Sequence, residues 1–254
     1  LTAVLWAVHT HILDMINVSP RLAAQAAGPG CGKTVAMEAI GNLVPRPLPA
    51  SSITAASVFR IIEDMQPTLL LDEADQMLAD RHSPLVAVLN SSHRKSSASV
   101  IRMEEVLPGQ FQAVRFSTWA AVMFAGIREL PPTLQDRSIV LYLRRAKPGE
   151  VRKHLRDGKC PDLAECAQKI VRWASDLADL PEVALPPTLA NRIGDNWRPL
   201  LAIAELAGGD WPARAQKAAM AAAKQEEQGQ ISMLLADIHL VFGERVEYLS
   251  QDLV

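Results

Sequence analysis

The residues of this chain best suited to chemistry are Gly28-Pro29-Gly30-Cys31-Gly32-Lys33-Thr34, placed between an apolar run and an amphipathic stretch. A strand over 21–27 would end in a loop whose backbone N–H groups turn inward. Glycines at 28, 30 and 32 let that backbone come close to phosphate oxygens. A helix over 34–43 then adds its unpaired N-terminal N–H groups and its dipole, both of which favour an anion. In such a loop Lys33 reaches the β- and γ-phosphates of ATP, and the Thr34 hydroxyl ligates Mg²⁺. Ala27 stands where the pattern G-x-x-x-x-G-K-[ST] has its first glycine, a small departure. The alternative is an ordinary glycine-rich turn before a helix.

A second group of chemical residues follows an unbroken apolar run, Thr68-Leu69-Leu70-Leu71, and reads Asp72-Glu73-Ala74-Asp75. An apolar strand without alternation suits a central parallel strand covered on both faces. The first acid after such a strand, Asp72, is expected in the Mg²⁺ shell, and Glu73 is expected to polarise the attacking water. The letters D-E-A-D also invite comparison with a DEAD-box RNA helicase. Between Lys33 and Asp72, however, there is room for only one strand-and-helix unit, which excludes it. Arg137, just before the last expected strand, is placed to reach a neighbouring subunit's ATP; an ion pair with Asp136 is the competing reading. The stretch Ser91 to Ser97 is polar, basic and flexible. His93, Arg94 and Lys95, with Arg102 and Arg115, could contact a nucleic-acid backbone or simply face water.

The elements that must position these groups read as an α/β chain. An amphipathic helix over 1–16 carries His9 and His11, whose spacing makes a poor metal pair. After the loop helix come a proline-rich connection over 44–49, a short strand near 51–54, and a helix over 55–65 stopped by Pro67. Ser83-Pro84 opens a helix over 85–90. Runs around Pro108-Gly109 form a hairpin over about 98–117. Strands over 119–125 and 139–143 complete five. A basic stretch over 144–159 marks a domain boundary, dividing a core of residues 1–146 from a helical part of residues 147–254. In the latter, helices are expected over 162–180, from Asp195 to Gly208, from Asp210, and around Ile231 to Phe242.

With 254 residues, 49% of them hydrophobic, the chain can bury a substantial core, and its net charge of −2 argues against a uniformly basic nucleic-acid coat. Cys31, Cys160 and Cys166 have no metal-site spacing, and no apolar run spans a membrane, so a cytoplasmic location is expected. The start at Leu1 and the end at Ser250-Gln251-Asp252-Leu253-Val254, which looks like a helix cut in its first turn, suggest a fragment.

The two motifs on such a core, followed by helices, resemble the AAA+ type of P-loop ATPase. The segments over 6–14, 28–34, 68–75, 125–145 and 195–212 are closer to one uncharacterised ATPase domain. That domain is found in primase-helicase proteins of phages, plasmids and integrated elements. The resemblance implies a five-stranded parallel sheet with an all-α C-terminal lid. It also implies an Mg²⁺-dependent ATP hydrolase working as a homo-oligomer, a hexameric ring, as a helicase or translocase on single-stranded or forked DNA. A primase or polymerase domain of the same or a neighbouring protein is the implied partner. It carries Lys33, Thr34, Asp72, Glu73 and Arg137 into the roles given above, and adds a lid arginine, Arg192 or Arg198, that senses the nucleotide. Two departures stand out. The strand over 119–125 ends in Ala125-Gly126 where AAA+ proteins place a polar residue, and the hairpin tip, Glu104 to Gly109, is acidic and apolar rather than basic. Those departures favour an alternative, a nucleotide-dependent assembly or switch ATPase that moves no DNA. A small-molecule P-loop kinase is weaker, because it leaves Glu73 and the long helical part unexplained.

Overall fold

In the computed structural model the described residues are 1–224, except 27, 148, 151–154 and 156–159. The expected helix around Ile231 to Phe242 lies outside them, as do Arg152, Lys153, Arg156 and Lys159 of the basic stretch. In chain order the elements are α1 (Thr2–Thr10), β1 (Arg21–Ala26), α2 (Lys33–Gly41), β2 (Pro47–Ala50), α3 (Ala55–Met65), β3 (Thr68–Leu71), α4 (Ala74–Met77) and α5 (Pro84–Ser91). They continue with β4 (Ser99–Leu107), β5 (Gln110–Ser117), β6 (Val122–Gly126), α6 (Pro132–Gln135), β7 (Ser138–Leu143), α7 (Pro161–Asp176) and α8 (Asn191–Ala207). Residues 211–224 are also helical.

Five strands form one parallel sheet in the order β2-β3-β6-β1-β7. The chain leaves β1 for the far edge at β2 and then returns stepwise through β3 and β6 to β7. Right-handed crossovers in opposite directions put their helices on opposite faces. The side chains follow. Leu22, Ala24, Leu70, Met123 and Ile139 pack with α1, α2 and α8. Ala23, Leu69, Leu71, Val122 and Phe124 pack with α3, α5 and α6. Trp6 and Trp197 are buried in the first layer, and Leu163, Ile170 and Trp173 of α7 pack against it, themselves only partly buried. The reversal of direction at β1 opens a crevice at the C-terminal edge, between the ends of β1 and β6. Ligands of doubly wound sheets enter at such a crevice.

Local rules account for most boundaries. Thr54 caps α3 by accepting from the Ser57 N–H at 3.2 Å, and Gln66 closes it in a left-handed conformation before Pro67. Ser83 caps α5 through the Val86 N–H, with Pro84 in its first turn. The hairpin of β4 and β5 forms as expected, with its turn at Gly109. One face of it lies on α3, where Phe59 and Phe116 meet at 4.9 Å and Arg60 pairs with Glu104.

Three expectations change. The second strand is not near 51–54 but at Pro47–Ala50, within the proline-rich connection. Arg46 O and Ala50 O accept from the Thr68 and Asp72 N–H groups, so the even-numbered residues face β3 and both prolines fall in the outward phase of an edge strand. Helix α8 begins at Asn191 rather than at Asp195, and Pro199 is therefore inside it. The N-terminal helix stops at Thr10 and continues only as a single 3₁₀ turn over Leu13–Met15. Among the described residues no helix is long and apolar enough to cross a membrane.

Candidate functional site

Strand β1 delivers the glycine loop to the C-terminal edge of the sheet. Gly30 and Gly32 adopt φ of +75° and +82°, a conformation in which a Cβ is strained, and Gly32 opens α2 without any side-chain cap. Among the described residues no side chain caps the N-terminal N–H groups of this nine-residue helix. Lys33, its first residue, arches back so that Nζ donates to Gly28 O at 3.4 Å. Cys31 is half-buried, its Sγ 3.9 Å from Pro29 O.

Strand β3 delivers the acids to the same edge. With β6 between them, β1 and β3 lie about 10 Å apart. Thr34 and Asp72 line one open cleft of about 580 Å³, together with Glu38, Pro49 and Ser51. The half-buried Asp72 accepts the Glu73 N–H through Oδ1 at 2.9 Å. Glu73 is exposed and left-handed, φ +51°, a conformation that costs a non-glycine residue about 1 kcal/mol and turns the chain sharply into α4. Among the described residues no three His, Cys, Asp or Glu side chains converge to hold a metal ion by themselves. One hydroxyl and one carboxylate on a shared cleft suit a hard cation that completes its shell with phosphate and water oxygens. Mg²⁺ fits that donor set.

Asp75 is a site residue the sequence reading did not single out. Its Oδ1 accepts the Ile127 N–H at 3.3 Å and lies 2.7 Å from where a Cβ on Gly126 would stand. The end of β6, which lacks a polar side chain of its own, is therefore covered by a carboxylate from α4. The signal was present as two halves, a small pair at 125–126 and a spare acid at 75, with nothing in the sequence to join them. Gln25, beside Gly126 in the sheet, donates to Gln135 Oε1 at 2.8 Å. Arg145 also reaches the loop, its Nη2 lying 2.9 Å from where a Gly30 Cβ would be.

The other expected residues gather at the opposite edge. Arg137 precedes β7, and its carbonyl accepts the N–H of Arg21, the first residue of β1. Its guanidinium donates to Thr133 O at 2.5 Å, while Asp136 pairs with Arg192. Among the described residues no carboxylate pairs with Arg137. Burial first, then the nearby Arg192, hold it below the usual arginine range. Arg192 is engaged by Asp136, and Arg198 donates to Val183 O beside Val18, so neither joins the glycine loop. The reason is that α8 starts at the N-terminal edge of the sheet and packs on α1.

The expected nucleic-acid loop is also different. His93 is buried and donates through Nε2 to Asn196 Oδ1 at 2.8 Å. Burial, with Arg21 nearby, pushes its pKa down to about 3. Arg94 pairs with Asp195, Lys95 donates to Asp14 O at 2.8 Å, and Lys95–Ser97 form a 3₁₀ turn. The segment is a pinned link between α5 and β4. Arg21 anchors the same region. Fully buried, it donates to Ser19 O, Leu89 O and Ser92 Oγ, with its pKa lowered to about 9 by burial and then by Arg137.

Residues 142–254 match a family described as a protein of unknown function, DUF3631. The matched span includes Arg145, Arg192 and Arg198 but neither the glycine loop nor the acidic turn. A relative from Saccharopolyspora erythraea, named as an uncharacterised 28.9 kDa protein in the xis 5′ region, is 35% identical over 108 residues. The alignment covers 40% of this chain and 41% of that protein.

Proposed function

We propose that this chain is an Mg²⁺-dependent ATP hydrolase of the AAA+ type of P-loop ATPase, acting as a homo-oligomer. The observation that carries the reading is the meeting of Thr34 and Asp72 on one cleft between α2 and the ends of β2 and β3, beside Lys33, the first residue of α2, at the C-terminal edge of the sheet. A strand inserted between the loop strand and the acid strand supports it, because that spacing leaves room for a phosphate chain and a hydrated cation. Core residues 1–146 would hold the nucleotide, and the helical part from 147 would be the counterpart of a lid.

Thr34 and Asp72 would hold Mg²⁺, which when bound neutralises developing phosphate charge. Lys33 and the loop N–H groups would fix the β- and γ-phosphates. Glu73, projecting from the strained turn, would take the proton of the water attacking the γ-phosphorus in line, with ADP leaving. Positioning and electrostatics supply most of such catalysis.

The first use we propose for this turnover is a DNA helicase or translocase in the replication of a mobile element, linked to a primase or polymerase domain. The name of the Saccharopolyspora relative, which places that protein beside xis, supports the mobile-element setting. A second reading, an assembly or switch ATPase that moves no DNA, is favoured by a specific observation. His93, Arg94 and Lys95 are occupied within the protein, and the hairpin tip carries exposed Val106 and Leu107 beside Glu105. Steady-state ATP hydrolysis with and without single-stranded DNA, at two salt concentrations and with Lys33→Ala as the blank, tests both. Stimulation that weakens with salt supports the motor. Turnover indifferent to DNA but rising with protein concentration supports the switch, and turnover equal to the Lys33→Ala blank overturns the ATPase reading.

A further inference from the structure

Arg145 follows β7 by two residues, and β7 is the hydrogen-bonded neighbour of β1, with Leu143 opposite Ala26. The chain therefore leaves β7 at the same edge, and one strand over, from where it leaves β1 for the glycine loop. Arg144 and Arg145 separate there. Arg144 is held in a bidentate pair with Glu150, both contacts at 2.9 Å, and Glu150 also accepts the Lys147 N–H at 2.7 Å. That closed turn commits Arg144 and leaves Arg145 to lie on the loop. Its Nη2 sits 2.9 Å from the position a Cβ would take on Gly30, so the guanidinium lies directly against the loop, while the φ of +75° is what calls for glycine there. Among the described residues no carboxylate pairs with Arg145. Two cations, Arg145 and Lys33, thus lie against the glycine loop, and among the described residues neither is paired with a carboxylate, an arrangement that asks for a polyanion. A guanidinium fork matches two phosphate oxygens at once.

We propose that Arg145 binds the terminal phosphate of the nucleoside triphosphate held by its own subunit, from the end of β7 and not from the helices that follow. The assignment rests on the phosphate-loop reading. It fills the role that Arg192 and Arg198, held at the opposite edge, leave open. Because the side chain is exposed, its replacement leaves the core untouched.

The test is equilibrium binding of fluorescent, non-hydrolysable ATP and of fluorescent ADP to the wild type, Arg145→Ala, Arg145→Lys and Lys33→Ala, with urea unfolding midpoints as a check on folding. Arg145→Ala should weaken the triphosphate by roughly 10- to 100-fold, the loss of a charged, forked hydrogen bond, and the diphosphate much less. Arg145→Lys should recover part of the loss, since it keeps the charge without the fork. Triphosphate binding unchanged in Arg145→Ala, while Lys33→Ala abolishes it, overturns the assignment and spares the loop. Equal losses for both nucleotides also overturn it, because the contact would not be to the terminal phosphate. Wild-type protein that binds neither nucleotide removes the phosphate-loop reading and this assignment with it.

Discussion

Single side chains decide how the acidic turn and the buried rings behave. Glu73 is held at φ +51° with its carboxylate exposed, so Glu73→Gln keeps the backbone and the size of the side chain and removes only the carboxylate that the proposed hydrolysis uses as proton acceptor. Nucleotide binding by that variant should match the wild type, while turnover falls on the order of 10²-fold or more. Normal turnover would remove Glu73 from the chemistry. His9 and His93 pose a different question. The His9 Nδ1–H donates to Trp6 O and its Nε2 accepts from Ser19; burial holds its pKa near 4, and that of His93 near 3. Both rings are neutral when folded, whereas an unfolded chain protonates them below about pH 6.5. The unfolded state then binds more protons, and stability falls as pH drops from about 6.5 towards 4, by about 1.4 kcal/mol per pH unit for each ring. Urea midpoints between pH 7 and pH 5 should show that slope, and His93→Gln should flatten it even though it lowers stability at pH 7. An unchanged slope would mean that His93 is not neutral in the fold.

Elements bring together what the sequence keeps apart. At the end of β6, Gly126 has no room for a side chain, because Asp75 from α4 lies over it and accepts from Ile127. Gly126→Ala would push that carboxylate off the strand, at a cost of roughly 1–3 kcal/mol, and Asp75→Ala would empty the space. The double variant should be more stable than the sum of the two single losses predicts, as measured by a denaturation cycle. Additive losses would separate the two residues. This contact shows why the site was only partly legible. The glycine loop, the strand at 68–71 and its two acids are contiguous, so their placement at one edge of the sheet could be expected from adjacent letters. The Asp75–Gly126 contact, the pairing of Asp136 with Arg192 rather than Arg137, and the burial of His93 against Asn196 each join distant segments. Composition alone made 91–97 look like a solvated basic loop, and tertiary hydrogen bonds overrode it. For the fold, capped helices such as α3 and α5 were legible because their stop signals are local. Strand β2 was not, since two prolines read as a breaker unless the edge and its phase are known.

At the scale of the molecule, the sheet separates two sets of arginines. The glycine loop, with Arg145, lies past the C-terminal end of β1. Arg137 lies at its N-terminal end, bonded to Arg21, and six residues of parallel strand put about 20 Å between the two. An arginine side chain is far too short to close that distance, so Arg137 cannot serve its own subunit's loop. If it serves any loop, that loop belongs to a neighbour, and the two halves of one site then come from different copies. Complementation tests this directly. Arg137→Ala alone and Lys33→Ala alone should each lose nearly all turnover, the former by about 10³-fold or more if the guanidinium stabilises the transferring phosphoryl group. In a mixture of the two, some interfaces join an intact loop from an Arg137→Ala copy to an intact arginine from a Lys33→Ala copy. Turnover should therefore rise well above the sum of the separate activities, with a maximum near equal proportions, and should fall on dilution as the copies part. Activities that merely add at every ratio would leave Arg137 a structural residue at the start of β7. The shared site, and the oligomer as the working unit, would then be lost together.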